Sequence, residues 1–525
     1  MKKMEKKKNK RIILAVFSLL ALSALTACNV NKTTHVSIEK TQTVSPELYR
    51  NFYEIFTGSF ADSNHDGEGD LNGVTDHLDY LNTGNKNSTT DLKVNGLWMT
   101  PIFASPSYHG YDVTNYEEIN PKMGTMADFE RLIKEAKKRG IAVILDLPFN
   151  DTSSQHPWFK KALAGVKKYM AYYNWSDTAK QGYTLASNGK YYESEFDKDM
   201  PDLNLANPDV KKELAAITKF WLDKGVSGFR LDAVYYYFQN DDEKTTAFTK
   251  WLVQTIKSQD ENAYVVGEVF SSSMDIAPIY ASKIDSLFNF PMALNMNSST
   301  LNGAVMYGQG NLFEQQVTDW DSEIHKDNPT AIDAPFLSNH DTDRSSQYFQ
   351  TLASQKMAAS AYLLLPGNPF IYYGEELGMT GNGIDQNKRL PMQWNTTGQD
   401  SPAAPVGSTE TVSTDGGSVA TQESNPQSLL NWYKKILRLK AKYPQIASSR
   451  ISAVDESNTD LSVVNYGKDL TIINNFSSNQ TATFKIPKGT VGKKLADSLV
   501  VSGAKVSLSN DELVMPAYST VILKK

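Results

Sequence analysis

Eight short apolar runs recur along the chain, and longer amphipathic segments separate them. Most of the runs are continuously apolar, which is typical of parallel strands that are buried on both faces. Eight strand–helix repeats favour an α/β fold with a closed (β/α)8 TIM barrel, although periodicity alone does not exclude an open doubly wound sheet. The runs are 51–56, 96–103, 141–149, 228–233, 263–270, 286–291, 334–341 and 369–376.

Two of the intervening segments carry clear helix signals. Residues 126–139 have one apolar stripe, and Thr125 in front of them has the spacing of a capping box with Asp128 in the first turn. A second helix is predicted to begin at Asn207 and Pro208, because proline is favoured in the first turn of a helix.

The spacing of the repeats predicts the domain boundaries. The barrel is predicted over 45–149 and 207–445, and the long aromatic-rich gap at 150–206 predicts a small domain inserted after the third strand. Short β runs punctuated by Gly, Pro and Asn predict a C-terminal antiparallel β-sandwich over 446–525. The stretch 395–427 is rich in Ser, Thr, Gly and Pro, and we expect a mobile surface loop there.

The N-terminus has the pattern of a secretory signal peptide. Residues 1–27 contribute a net charge of +6, and the last 16 of them form an apolar run that is shorter than the roughly 20 residues that span a bilayer. Leu25 to Ala27 followed by Cys28 resembles a bacterial lipobox, whose cysteine is acylated. We therefore predict a signal peptide over 1–27, a lipid anchor at Cys28, a tether over 28–44 and an extracellular location at the bacterial membrane. A buried free cysteine is the alternative.

Charge and cysteine content exclude several classes of protein. The chain carries a net charge of −6, so the part after residue 27 carries −12, whereas nucleic-acid-binding proteins usually present a basic face. Cys28 is the one cysteine in the sequence, so a disulfide within the chain is impossible.

Acidic residues stand at the ends of several predicted strands. Asp146, Asp232, Glu268 and Asp341 each close a run, and Arg230 lies on the same side of its strand as Asp232. In a (β/α)8 barrel these ends form the catalytic face. Carboxylates gathered at one rim lose solvation and repel one another, so the arrangement is costly unless it has a function or a cation neutralises it.

In this order and at these positions, the motifs resemble those of the α-amylase family, glycoside hydrolase family 13. The resemblance covers roughly residues 45–525 and includes four supporting stretches, namely 108–112, 200–204, 367–378 and 391–394. It implies that Asp232 is the nucleophile, that Glu268 is the general acid and base, and that Asp341 binds sugar hydroxyls and stabilises the transition state.

The resemblance also implies a set of substrate-binding residues. Arg230 would keep Asp232 ionised, His340 would hydrogen-bond the sugar beside Asp341, and Tyr111 would stack on the sugar ring. Asp146 either touches substrate or supports Arg230. The implied set is Tyr111, Arg230, His340, Asp146 and His109.

The residue types fit a retaining mechanism. A covalent double displacement needs one ionised and one protonated carboxyl about 5–5.5 Å apart. Glu268 must then have the raised pKa, and its apolar strand is compatible with that.

Residues 62–70 predict a calcium site. Oxygen-bearing side chains alternate at 62, 64, 66 and 70, which resembles the start of an EF-hand loop, although the bidentate glutamate of the full motif is missing. Several family members carry the same loop after the first strand and bind Ca²⁺ there, with residue 68 giving its carbonyl. An exposed acidic turn is the alternative. The predicted ligands are Asp62, Asn64, Asp66, Glu68 and Asp70.

The sequence departs from the family pattern in two places. Asp151 stands where most members have a histidine, and Tyr235 and Tyr236 stand where most amylases have Lys-His. An ionised aspartate cannot donate a hydrogen bond. The tyrosines either contact sugar or pack in the wall of the cleft.

The resemblance implies an extracellular retaining endo-α-amylase that cleaves α-1,4-glucosidic bonds in starch and maltodextrins. Tyr108, which stands where exo-acting relatives often have an acidic residue, favours the endo mode. The alternatives are an oligo-1,6-glucosidase, a neopullulanase-like enzyme or an α-glucan transferase, and, from another class, a non-catalytic glucan-binding lipoprotein.

Overall fold

The central sheet of the computed structural model contains seven parallel strands. The structure describes residues 44–239, 241–293, 299–414 and 416–525. The strands are β1 (Phe52–Ile55), β2 (Gly96–Met99), β3 (Ala142–Leu147), β4 (Gly228–Leu231), β5 (Tyr264–Gly267), β6 (Ser286–Leu287) and β7 (Phe370–Tyr372). Their order in the sheet is β6-β5-β4-β3-β2-β1-β7.

The eighth place in the sheet is taken by the segment 334–336. Parallel bridges join Phe288 to Ala334 and Phe336 to Phe370, so this segment connects the two outer strands and closes the barrel. The predicted run 334–341 is therefore not a regular strand, because Pro335 has no N–H group to donate to a neighbour. The (β/α)8 fold class that the sequence predicts is confirmed.

Helices surround the barrel and bury their apolar stripes against it. The capping box of Thr125 and Asp128 is present, and the helix that follows runs over Met126–Lys138. Asn207 caps the predicted second helix, which runs over Pro208–Asp223. The other helices are Thr57–Phe60, Leu71–Asp76, Leu78–Leu81, Asp242–Gln259, Ser273–Ile276, Thr300–Tyr307, Gly310–Asp327, Leu352–Leu363, Asp385–Lys388, Val419–Glu423, Leu429–Lys442 and Gln445–Ser448.

Close packing inside the barrel fixes the start of β4. Gly228 has a φ of +148°, and a Cβ atom there would lie 1.9 Å from the backbone oxygen of Tyr264 on β5. Only glycine tolerates both conditions, so β4 pairs closely with β5. This pairing places Arg230 and Asp232 beside Glu268.

The predicted insertion follows β3. It contains the helices Pro157–Leu163 and Lys167–Met170 and a three-stranded antiparallel sheet of Trp175–Ser176, Tyr183–Leu185 and Tyr191–Glu193. The ring of Phe159 packs edge-on against Tyr173 and Tyr192, with centroids 4.9 Å apart in both pairs. Both tyrosines are buried, so these aromatic residues form a core rather than a sugar-binding surface.

The C-terminal part forms two antiparallel sheets, as predicted. Val463 and Ile473 from one sheet share an apolar core with Leu513 and Met515 from the other. The five-stranded sheet contains Ile451–Ala453, Leu461–Tyr466, Leu470–Asn475, Lys494–Val500 and Ser519–Lys524, and the three-stranded sheet contains Ala482–Lys485, Ser507–Ser509 and Glu512–Met515.

The predicted signal peptide, the tether and Cys28 lie outside the described residues, so the lipid anchor stays a prediction. In the part of the chain that the structure describes, no helix is both long and apolar enough to cross a bilayer.

Candidate active site

Arg230 is the centre of a carboxylate cluster at the top of the barrel. Its guanidinium is fully buried. It lies 2.7 Å from Asp146 on β3, 2.5 Å from Asp232 just after β4, and 3.0 Å from Glu268 just after β5. One cation thus holds three acidic side chains from neighbouring strands, as the strand-end pattern predicted.

The turn after Asp232 is bonded to Glu268. Ala233 has the left-handed φ of 50°, and its N–H donates to Oε2 of Glu268 at 3.0 Å. The N–H of Val234 donates to the backbone oxygen of Glu268 at 2.9 Å. The positions of Asp232 and Glu268 are therefore fixed relative to each other by backbone as well as by Arg230.

Asp341 is held by two cationic side chains. Nε2 of His340 lies 3.0 Å from Oδ2 of Asp341, and Nη2 of Arg389 lies 2.9 Å from Oδ1. The other ring nitrogen of His340 lies 2.6 Å from Glu54, which is buried on β1. With acidic partners at both ring nitrogens, His340 is positioned to donate from both.

Tyr111 joins the two halves of the cluster. Its hydroxyl donates to Asp146 at 2.9 Å and lies 2.7 Å from Nε2 of His340, over which its ring stacks at an interplanar angle of 9°. Nδ1 of His109 accepts the N–H of Tyr111 at 3.1 Å. The predicted binding residues Tyr111, Arg230, His340, Asp146 and His109 are thus brought together with the three candidate catalytic carboxylates.

The protonation states of the cluster differ from residue to residue. Burial raises the pKa of Glu268 and raises the pKa of Asp232 to about 7, while Arg230 opposes both shifts. Burial also acts on Asp341, but His340 and Arg389 hold its pKa well below the usual range. Burial would lower the pKa of His340, yet Asp341 and Glu54 raise it to about 10. Asp341 and His340 are therefore both charged at neutral pH.

The sequence predicted that Arg230 keeps Asp232 ionised. The charge of Arg230 does lower the pKa of Asp232, but burial of the carboxylate raises it. Arg230 lies 2.5 Å from Asp232 and 3.0 Å from Glu268. The shorter distance favours a negative charge on Asp232 over one on Glu268. Only Oε2 of Glu268 is engaged within the described part of the chain, which leaves Oε1 as the site for a proton.

Two residues of the cluster were missed by sequence reasoning. Glu54 is an acidic residue inside the apolar run of β1, which is an unusual position and a usable signal. Arg389 stands two residues before Pro391 and has no neighbouring pattern that marks it. Only the folded chain brings it to Asp341.

Asp151 lies at the base of the insertion, near enough to Asp202 and Asp232 for their charges to act on its carboxyl group. It is fully buried, and it forms a backbone bridge with Asp202 at the base of the insertion. Among the described residues, no hydrogen bond of ordinary geometry reaches either of its side-chain oxygens. Burial and Asp202 raise its pKa well above the usual value, and burial raises the pKa of Asp202 to about 8. Burial therefore favours the protonated form of Asp151, which, unlike an ionised aspartate, carries a proton that it can donate.

The predicted calcium loop follows the short helix Thr57–Phe60, which comes directly after β1. The atoms that the predicted ligands would present to a metal ion are all oxygens, which suits a hard cation such as Ca²⁺. Asp62 accepts the backbone N–H groups of His65 and Gly67 at 2.7 and 2.8 Å. Glu68 pairs with Lys122, and Asp70 accepts from Ser63 and Gly73. Within the described ranges no group of three or more His, Cys, Asp or Glu side chains is arranged around a metal position, and the calcium site stays a prediction.

The fold and sequence match known proteins over most of the chain. The model of the α-amylase catalytic domain matches residues 54–449. Alpha-amylase 3 of Dictyoglomus thermophilum is 37% identical over 491 residues, which cover 91% of this chain and 93% of that protein. Palatinase of Erwinia rhapontici is 30% identical over 502 residues, or 81% and 89% of the two chains. The structure of Amy13B from Eubacterium rectale superposes with a TM-score of 0.85 at 37% identity, covering 92% and 96%.

Proposed function

Because the chain belongs to the α-amylase family of glycoside hydrolases, we propose that it is a retaining, endo-acting α-amylase that cleaves α-1,4-glucosidic bonds in starch and maltodextrins. The observation that carries the proposal is the contact of one buried Arg230 with Asp146, Asp232 and Glu268. This contact gathers the carboxylates that a double displacement requires.

In the first step, Asp232 attacks the anomeric carbon while Glu268 protonates the departing glycosidic oxygen. The short contact between Arg230 and Asp232 favours the ionised nucleophile, and the burial of Glu268 favours the acid. In the second step, Glu268 takes a proton from water, which attacks the glycosyl ester. The sugar keeps its anomeric configuration because it is inverted twice.

Asp341 and its neighbours bind the sugar that is attacked. Asp341 is ionised and accepts sugar hydroxyl groups, while His340 holds its carboxylate in position. Tyr111 presents a ring whose orientation is fixed by stacking on His340. Positioning of this kind lowers the barrier because the sugar is held where charge develops in the transition state.

The endo mode is supported by the residues near Asp341. Tyr108 is a neutral residue with 36% of its surface exposed, and its hydroxyl accepts from Arg389 at 2.9 Å. Because position 108 is a tyrosine and not an acidic residue, it has no carboxylate that could bind the end of a glucan chain. The relative from D. thermophilum is also named as an α-amylase.

A second candidate is an α-1,6-acting or transferring enzyme, because a protein named probable oligo-1,6-glucosidase 2, from Bacillus subtilis, is also a relative. Product analysis with starch, pullulan and panose separates the candidates. Rapid loss of starch chain length with release of α-anomeric maltodextrins supports the endo-amylase. Cleavage of panose with starch left intact supports the oligo-1,6-glucosidase, and cleavage of pullulan supports the neopullulanase-like enzyme.

We further propose that Ca²⁺ is held by Asp62, Asn64, Asp66 and Asp70 with the carbonyl of Glu68, where it would supply a rigid cross-link for the loop. The signal and lipobox patterns support an extracellular enzyme anchored to the membrane through Cys28. Metabolic labelling with a radioactive fatty acid tests the anchor, since Cys28→Ser should abolish the label.

A further inference from the structure

Glu54 is an acidic side chain inside the barrel that the proposed double displacement does not use. Phe52 lies on the same face of β1, and its ring stacks on Tyr264 and Phe370 with centroids 5.1 and 4.6 Å apart. The level of the barrel next to Glu54 is therefore filled with aromatic rings. Only 1% of the Glu54 surface is exposed. Its charge has almost no water to stabilise it and needs a partner within the protein.

His340 is the partner of Glu54. Oε1 of Glu54 lies 2.6 Å from Nδ1 of His340 and also accepts the backbone N–H of His340 at 3.3 Å. Among the described residues, no lysine or arginine forms an ion pair with Glu54. Asp341, in contrast, pairs with Arg389 as well as with His340. In this part of the chain the negative charge of Glu54 is therefore compensated by a proton on His340.

The ring of His340 is itself fully buried. Burial disfavours an imidazolium, so the charged form exists only where neighbouring anions stabilise it. The titratable and charged groups that face this ring are Glu54 on β1, Tyr111 after β2, Asp146 on β3, Asp341 beside it in the chain, and Arg389, which donates to its backbone oxygen. Three carboxylates thus face one guanidinium, and two of them contact the ring nitrogens.

We propose that Glu54 is a positioning residue that keeps a proton on Nδ1 of His340 and thereby maintains the imidazolium that holds Asp341. The inference rests on the proposed function. If Nδ1 lost its proton, one remaining N–H group would serve two acidic partners, and either Glu54 or Asp341 would lose its hydrogen bond. The carboxylate that binds the sugar would then no longer be fixed. Glu54 thus extends the activity to a higher pH than Asp341 alone would allow.

Labelling of the histidines with nitrogen-15 measures the proton directly by NMR. The chain has seven histidines, and His340→Asn identifies the signals of His340 by their loss. Both ring nitrogens of His340 should be protonated from about pH 6 to about pH 9, because the pKa of His340 is raised to about 10 by Asp341 and Glu54 against the effect of burial. An Nδ1 without a proton at pH 8 would overturn the inference, whether the proton lies on Glu54 or has left the pair.

Glu54→Gln removes the charge but keeps the shape and an oxygen that accepts from Nδ1. The pKa of His340 in this variant should fall by about 1–3 pH units, which is the effect of one neighbouring opposite charge. The substrate for the activity profile is α-maltosyl fluoride, because fluoride leaves without a proton from Glu268. The fall of kcat/KM at high pH should move down by the same amount, whereas the fall at low pH, which reports Asp232, should stay in place.

Two variants keep the test specific. Glu54→Asp keeps the negative charge on a shorter side chain, so its high-pH limit should lie closer to the wild-type value than that of Glu54→Gln. Glu314→Gln is the matched control, because Glu314 is also buried but accepts the backbone N–H groups of Val454 and Val463 in the C-terminal part. This control should leave the high-pH limit unchanged.

The same high-pH limit in Glu54→Gln and in the wild type would overturn the inference, and cleavage of starch by the wild type would leave the hydrolase intact. If Glu54→Gln does not fold, the nitrogen-15 titration of the wild type and of Glu54→Asp still decides, since it needs no active enzyme. A wild type that neither releases fluoride nor cleaves starch would instead overturn the proposed function.

Discussion

Arg389 lies 2.9 Å from Asp341, and this ion pair joins a loop 48 residues further along the chain to the carboxylate that we assign to sugar binding. Arg389 is buried, and it also donates to the backbone oxygen of His340 and to the hydroxyl of Tyr108. A single side chain thus sets the position of three groups around the sugar.

Arg389→Lys should lower kcat/KM on maltopentaose by about 100-fold, because a lysine cannot keep all of these contacts and a small displacement at the site is costly. Arg131→Lys is the matched control, since Arg131 forms an exposed ion pair with Asp76. The ratio of the two kcat/KM values is the measurement. Equal kcat/KM values for the two variants would contradict the role of Arg389 in positioning the groups around the sugar.

Glu268→Gln should lower kcat on starch by about 100- to 10,000-fold, because a glutamine cannot protonate the leaving oxygen. Calorimetric binding of maltoheptaose should be preserved, since the shape of the side chain is retained. α-Maltosyl fluoride needs no acid for its leaving group, so its first step should lose much less. Near-normal turnover of starch would show that another group is the acid.

Asp202→Asn should stabilise the protein, and the gain should grow with pH. The folded pKa of Asp202 is about 8, above the ordinary value of 3.8, so the folded state binds the extra proton between these pH values. The contribution of Asp202 to the free energy of unfolding is fully present below pH 3.8, where the group is protonated in both states. It is lost as the pH rises towards 8, because the unfolded state ionises more readily. The stability gain of Asp202→Asn, measured as the free energy of unfolding in urea, should be roughly 5 kcal/mol larger at pH 8 than at pH 4.

Asp319→Asn, the same substitution at an exposed position on the helix Gly310–Asp327, is measured alongside as the matched control. A gain from Asp202→Asn that is the same at both pH values would contradict the assigned protonation.

Removal of calcium with EDTA should lower the thermal midpoint, because an ion bound only by the folded state stabilises it by about 4 kcal/mol at 1,000 times its dissociation constant. Asp66→Ala should lower the midpoint in calcium and abolish the response to EDTA. A wild-type melting curve that is the same with EDTA and with calcium would exclude the site at 62–70.

The sequence predicted the parts of the molecule that depend on local pattern. Strand runs, the capping box at Thr125 and the strand-end carboxylates follow from periodicity and chain order, and the structure brings the carboxylates together. The predicted strand at 334–341 is reduced to parallel bridges at Ala334 and Phe336, because Pro335 between them has no N–H group to donate.

Contacts between distant segments could not be predicted in the same way. The burial of Asp151 against Asp202 depends on how the insertion folds back on β3. The pairing of Arg389 with Asp341 depends on a loop that approaches from the last repeat of the barrel. Neither contact has a period or spacing that a sequence displays, because it arises from tertiary packing.

The central claim is that Asp232 is the nucleophile of a covalent double displacement. Incubation with 5-fluoro-α-glucosyl fluoride slows the second step and allows the glycosyl-enzyme to accumulate, and peptide mass mapping then locates the added sugar. We predict one added fluoroglucosyl group, attached to the peptide that contains Asp232 and absent in Asp232→Asn. A label on Glu268 or Asp341, or β-anomeric products with no label at all, would contradict the account.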